Sequence, residues 1–193
     1  MKSRKLIVAT SNPGKLREMA EYLTELDWEL QLKPQELEIA ETGTTFLANA
    51  RLKASEVAKA LGEWAIADDS GLAVDALNGA PGIYSARYGK TDTERITRLL
   101  TALEDNSQRQ AQFICAIAIA RPDGSIALET EGVCPGKILT QTLGEGGFGY
   151  DPVFLPLNRK RTTAEMSPDE EAAISHRGIA MRKFLDWLKD SQG

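Results

Sequence analysis

Apolar residues recur along the chain at spacings of two or of three to four, and each spacing marks an element. Residues 5–9 are apolar and partly β-branched, the pattern of a buried strand. They lead into Thr10-Ser11-Asn12-Pro13-Gly14-Lys15 and then a helical pattern over 16–26. Ser11 or Asn12 can cap that helix, and Pro13 suits its first turn. Residues 28–32 predict a second strand. Phe46, Ala50, Ala54, Val57 and Leu61 fall at three- and four-residue steps and predict a helix capped by Thr44 or Thr45. Residues 64–67 predict a short strand that stops at Asp68-Asp69-Ser70-Gly71, with a further strand over 72–77. Residues 80–90 read as loop, and Thr91 or Asp92 opens a helix to about Leu103. Residues 110–120 and 125–132 predict an antiparallel pair turning at Pro122-Asp123-Gly124. Residues 144–152 read as loop. Ser167 with Glu170 three residues on is a capping box, opening a last helix that runs to about Lys189.

Strands and helices interleave without a repeat, a low-complexity tract or a composition shift, so the chain reads as one mixed α/β domain over residues 1–193. A hydrophobic fraction of 42% and a charged fraction of 26% exclude disorder and fibrous architectures. The longest apolar run, residues 113–120, is far short of the roughly 20 residues a membrane span needs. The apolar stretch behind Lys2, Arg4 and Lys5 is shorter than a secretory core of about 7–15 residues, so no leader is expected. A net charge of −5 argues against a general nucleic-acid or anionic-membrane binder, though not against a local pocket for a small anion. Cys115 and Cys134 share no metal-site spacing, and a single histidine excludes a multi-histidine centre. Both points fit a reducing cytoplasm.

Five segments can carry chemistry. The turn at 10–15 feeds a strand into a capped helix, aiming backbone N–H groups and the helix dipole at one point, and Lys15 adds a charge. It is not a Walker A loop, and an ordinary helix start would look the same. Asp68 and Asp69 place two carboxylates side by side, which a divalent cation would relieve; a simple strand-to-turn step also uses these residue types. Asn49 and Lys53 share a helix face just after Glu41, a set able to hold metal and phosphate or simply to face water. In residues 144–151, Gly146, Gly147 and Gly149 allow close backbone approach, and Phe148 and Tyr150 offer stacking surface. His176 and Arg177 precede Gly178 inside the last helix, as a site face or as a packed histidine.

Order and spacing lift these segments above their plain readings. T-S-N-P-G-K (10–15), E-T-G-T-T-F (41–46), N-A-R-L-K-A (49–54), A-D-D-S-G-L (67–72), G-A-P-G-I-Y-S-A-R-Y (79–88), G-G-F-G-Y-D-P (146–152) and I-S-H-R-G (174–178) together resemble the inosine triphosphate pyrophosphatase family over nearly the whole chain. The resemblance implies an elongated α/β fold, a long mixed β-sheet flanked by helices with a nucleotide cleft between two lobes, usually as a homodimer. It implies hydrolysis of non-standard purine nucleoside triphosphates (ITP, dITP, XTP) to monophosphate and pyrophosphate, with Mg²⁺ as cofactor. Asp69 would be the general base and a metal carboxylate, with Glu41 and Asp68 also at the metal. Thr10, Ser11, Asn12, Pro13, Gly14, Lys15 and Lys53 would grip the triphosphate. Ser70, Phe148, Gly149, Tyr150, Asp151, His176 and Arg177 would contact the nucleotide.

Selectivity would come from a donor aimed at the purine 6-oxo group, which leaves that donor unpaired against adenine. Two other activities fit part of the pattern: a nucleotide-binding regulator without hydrolysis, and a pyrophosphatase of modified pyrimidine nucleotides. Two positions depart from the family. Ala48 stands where many bacterial relatives have glutamate, and Glu171 where a lysine is usual, five residues before His176. Five residues are about 500° of helical rotation, so the two positions share no face of a regular helix. Convergence on one ligand therefore predicts irregular backbone between them.

Overall fold

Arg4, Lys5 and the first apolar residues behind them form β1 (Arg4–Val8), in a computed structural model that describes residues 4–10, 19–23 and 28–191. Its parallel neighbours are β2 (Trp28–Leu32), register Leu6 to Leu30, and β3 (Trp64–Val74), register Leu6 to Trp64. Trp28 and Trp64 meet edge to face at 5.7 Å. β4 (Gln110–Ala120), β5 (Ile126–Ile138) and β6 (Phe154–Pro156) complete one mixed sheet in the order β2-β1-β3-β4-β5-β6. β5 and β6 pair antiparallel, Lys137 opposite Leu155. The helices are α1 (Phe46–Leu61), α2 (Asp92–Leu103), α3 (Pro168–Ile174) and α4 (His176–Ser191). Of the helix expected over 16–26, residues 19–23 are helical and the others lie outside the described residues. No helix among the described residues is long and apolar enough to cross a membrane.

The caps follow local chemistry. Thr45 Oγ1 accepts the Ala48 N–H and Gly62 closes α1 in the left-handed region. Thr91 caps α2 through the Glu94 N–H, and Ser167 with Glu170 forms the expected capping box on α3. The packing stripe of α1 is wider than expected: Asn49 and Ala58 are buried with Phe46, Ala50, Ala54 and Val57, while Leu61 is only half-buried.

Three expectations are corrected. β3 does not stop at residue 67 but runs through Asp68-Asp69-Ser70-Gly71 to Val74. Asp69 stays in the strand because Asn49 and Lys53, distant in sequence, compensate its burial. The helix expected from Ser167 to about Lys189 is broken at Ser175, which is extended (φ −64°, ψ 151°). Ser175 serves both ends: its N–H donates to Glu171 O at 2.7 Å, and its Oγ accepts the Gly178 N–H at 3.0 Å. The irregular backbone expected between Glu171 and His176 is therefore present. Finally, β5 runs to Ile138 rather than 132, because β6, a strand not expected, pairs with its last three residues.

The chain packs as two compact units. One comprises residues 1–69, 116–131 and 180–193; the other comprises 70–115 and 132–179. The first buries Leu6, Ile66, Val57, Ile117, Ile119 and Phe184. The second is built on Leu72, Leu99, Leu103, Phe113, Val153 and Phe154. Within β3 the division falls between Asp69 and Ser70.

Candidate active site

In the first unit, β3 and α1 supply a compact charged network. Asp68 and Asp69 are 1% and 7% exposed, against an expectation that carboxylates stay in water. Asn49 Nδ2 donates to Asp69 Oδ2 at 3.0 Å. Lys53 Nζ donates to Glu41 Oε1 at 2.8 Å and lies 3.6 Å from Asp69 Oδ1. Asn49 and Lys53 are one helical turn apart, so α1 aims both at β3. The face they share is thus a buried polar face rather than a solvated one. Burial alone would lower the Lys53 ammonium, but Asp69, Asp68 and Glu41 outweigh it and hold it above the ordinary lysine value. Gly43 closes the network, its N–H donating to Asn49 Oδ1 at 2.8 Å.

Thr10 follows β1 and is half-buried. Ser11, Asn12, Pro13, Gly14 and Lys15 lie outside the described residues.

The second unit holds the expected nucleoside contacts. Phe148 is 45% exposed, a large ring held at the surface. Its N–H donates to Asp151 Oδ2 at 2.9 Å, and the Gly149 N–H donates to Asp92 Oδ2 at 2.7 Å. Asp151 is itself buried and also accepts from Thr163 Oγ1 at 3.0 Å. Gly147 has φ +69°, and a Cβ there would meet Asp151 Oδ2, so this turn needs glycine. Tyr150 is corrected as a stacking ring: it is 4% exposed, sits in the core, and donates its hydroxyl to Ser85 O at 2.8 Å. Burial pushes that phenol above its ordinary range. The Asp151 side chain likewise braces the loop.

Arg177 is 4% exposed and donates from Nη2 to Ser70 Oγ at 3.2 Å. The half-buried His176 ring stacks on Phe113 at 4.9 Å and 14°. His176 and Arg177 open α4 directly after the Ser175 break, which turns them onto a different course from α3.

Glu41, Lys53 and Asp69 are thus joined through Lys53, with Asp68 next in the strand. Of the turn at 10–15, only Thr10 lies within the described residues. Sequence reasoning missed Gly43, Asp92 and Thr163, whose roles depend on backbone amides and carbonyls that carry no motif. The donor set around Asp69 is oxygen-only and suits a hard cation. Among the described residues no group of three or more His, Cys, Asp or Glu side chains is disposed to hold a metal by itself.

Known proteins resemble this chain over nearly its whole length. A dITP/XTP pyrophosphatase from Nostoc sp. is 65% identical over 180 residues, 93% of this chain and 92% of that protein. The dITP/XTP pyrophosphatase of Synechocystis sp. is 62% identical over 93% of both chains. A HAM1 protein from Coxiella burnetii has the same fold, with a TM-score of 0.90 at 43% identity over 97% of this chain and 99% of that one. The Ham1 family model matches residues 6–187, and the chain belongs to the Ham1 family.

Proposed function

We propose that this protein hydrolyses non-standard purine nucleoside triphosphates, ITP, dITP and XTP, to the monophosphate and pyrophosphate, and so removes them from the nucleotide pool. The observation that carries the reading is the buried Asp69 carboxylate, bracketed by the Asn49 amide and the Lys53 ammonium. The names of the Nostoc and Synechocystis relatives support the same substrate class.

In this reading Asp69 takes the proton of the water that attacks the α-phosphorus. Asn49 donates to Asp69 and Lys53 lies beside it, and both orient the carboxylate for that transfer. Thr10, Ser11, Asn12, Pro13, Gly14, Lys15 and Lys53 grip the triphosphate, the two lysines offsetting charge on the leaving pyrophosphate. Glu41, Asp68 and Asp69 would hold Mg²⁺. Mg²⁺ supplies charge neutralisation of the triphosphate and a lowered pKa of nearby water. It commonly takes one or two protein carboxylates and completes its shell with substrate phosphates and water, which suits this donor set.

Phe148 supplies a face for the purine, with Gly149, Tyr150 and Asp151 shaping its loop. Ser70, His176 and Arg177 contact the nucleoside, and a donor from His176 or Arg177 to the 6-oxo group separates hypoxanthine and xanthine from adenine. The chain works as a homodimer in the cytoplasm, with no nucleic-acid or membrane partner; sizing by light scattering checks the dimer.

The test is pyrophosphate release from a panel of ITP, dITP, XTP, ATP, GTP and methylated pyrimidine triphosphates, with Mg²⁺ and with chelator. Mg²⁺-dependent release should favour ITP and XTP over ATP by roughly 100-fold or more in kcat/KM. Asp69→Asn should lower turnover about 10²–10⁴-fold. Binding without pyrophosphate release, or preference for a modified pyrimidine, overturns the reading.

A further inference from the structure

Phe148 combines two properties that rarely coincide. Its ring is 45% exposed, yet the backbone on both sides of it is fixed by carboxylates. Asp151 takes the N–H of Phe148 itself, from within the loop. Asp92 takes the next N–H, that of Gly149, from the first turn of α2 fifty-seven residues away. Asp92 lies outside every motif that carries the family resemblance.

Asp92 is itself immobilised. Its Oδ1 pairs with Arg95 Nη1 at 2.5 Å, and Arg95 Nε donates to Gly89 O at 3.1 Å. The carboxylate also sits at the N-terminal end of α2, where the helix dipole favours negative charge. Thr91 and Glu94 cap that end independently, through Thr91 Oγ1 to Glu94 N–H and Lys90 N–H to Glu94 Oε2, so α2 does not need Asp92 as its cap. The Asp92–Gly149 bond therefore contributes chiefly to the loop. A second tether comes from beneath, where the Tyr150 hydroxyl reaches Ser85 O.

An exposed aromatic ring on a loop held at three successive residues loses little freedom when a planar ligand stacks on it, so binding costs less. We infer that Asp92 is a positioning residue which, through the Gly149 N–H, holds the Phe148 ring ready to stack on a purine base. The inference deepens the proposed function and rests on Phe148 meeting the nucleobase there.

The test is a double-mutant cycle on the full chain, read as KM and kcat for ITP at saturating Mg²⁺, together with hydrogen exchange of the Gly149 amide. Asp92→Ala should raise KM about five- to tenfold, less than a buried hydrogen bond to a charged acceptor would cost because the Asp92 side chain is half exposed, with kcat changed less than twofold. Asp92→Asn retains an acceptor oxygen and should restore KM to within about twofold of wild type. Gly149 amide exchange should speed up in Asp92→Ala and not in Asp92→Asn. In a Phe148→Ala background, Asp92→Ala should raise KM no further. A KM rise that persists without Phe148, or a parallel loss of kcat and thermal stability, overturns the inference by making Asp92 a general prop of α2. An unchanged KM in Asp92→Ala overturns it outright. A wild-type chain that releases no pyrophosphate from any triphosphate overturns the proposed function instead, and Gly149 exchange then reads the clamp by itself.

Discussion

Asn49 donates from Nδ2 to Asp69 Oδ2 at 3.0 Å, and the direction of that amide is decided by Gly43. The Gly43 N–H donates to Asn49 Oδ1 at 2.8 Å. A backbone N–H can only donate, so the carbonyl end of the amide must face Gly43 and the NH₂ end must face Asp69. A side chain at residue 43 would press on this contact, since a Cβ there would lie 2.6 Å from Asn49 Oδ1. Asp69 thus receives a donor of fixed identity as well as fixed position.

Asn49→Asp keeps the size of the side chain and an acceptor for Gly43 but turns the donor toward Asp69 into an oxygen. Two carboxylates in contact raise each other's pKa and repel. Stability at pH 7 should fall by roughly 1–3 kcal/mol, and ITP turnover by at least about tenfold, with KM changed much less. Thermal denaturation and steady-state kinetics check both, and an unchanged kcat removes Asn49 from the site.

Lys53 is held above the ordinary lysine value because Asp69, Asp68 and Glu41 outweigh the opposing effect of burial. A raised folded value means that its stabilisation is fully present below the unfolded lysine value near 10.5 and is lost as pH rises through the folded one. Lys53→Met removes the counter-charge of Glu41 and Asp69. Stability at pH 7.5 should drop by roughly 1–3 kcal/mol, and the deficit should shrink at pH 11.5, beyond the unfolded lysine value near 10.5. Urea titrations at the two pH values measure it; a deficit equal at both would mean that the ammonium neutralises nothing.

Burial pushes the Cys134 thiol up to about 11, with Glu171 and Asp151 adding to the effect and Arg159 opposing it. Between the ordinary value of 9.0 and about 11 the unfolded chain loses this proton while the folded one keeps it. Stability should therefore fall over that range by roughly 2–3 kcal/mol from this group. Cys134→Ala should flatten the alkaline decline, which denaturant midpoints at pH 8, 9 and 10 would record. In the native state neither Cys134 nor Cys115 should react rapidly with a thiol reagent at pH 8, since both are buried.

Glu171 is half-buried, and after burial itself its charge contributes most to raising the Cys134 thiol. Glu171→Lys should bring the Cys134 thiol down, read as faster alkylation at a given alkaline pH. If the same side chain also meets substrate, the variant should lower KM for ITP at low salt, with the gain shrinking as salt rises. A lowered thiol pKa with KM unchanged at low ionic strength would assign Glu171 to the interior alone.

The local signals decided much of the architecture. The stripe Phe46, Ala50, Ala54 and Val57 and the Thr45 cap determined α1, and Thr91 and Ser167 marked the starts of α2 and α3. Each needs only contacts three or four residues apart, which a short window contains. The residues later joined in the network, Glu41, Asn49, Lys53 and Asp69, were legible through the ordered set of motifs, since spacing alone left the Asn49–Lys53 face equally free to meet water.

The remainder depended on partners far along the chain. Asp68-Asp69-Ser70-Gly71 has turn composition, yet it lies inside β3, because Asn49, twenty residues away, and Lys53 satisfy Asp69 in place of water. Tyr150 reads as a stacking ring until Ser85, sixty-five residues off, accepts its hydroxyl and draws it into the core. The strand expected to end at residue 132 runs on to Ile138, because β6 pairs with Gly136, Lys137 and Ile138. The irregular backbone expected between Glu171 and His176 is by contrast a local feature, and the structure places it at Ser175. Burial of a polar group costs free energy that only its hydrogen-bond partner repays, so the sequence determined which groups were present, and the tertiary structure decided which of them leave water.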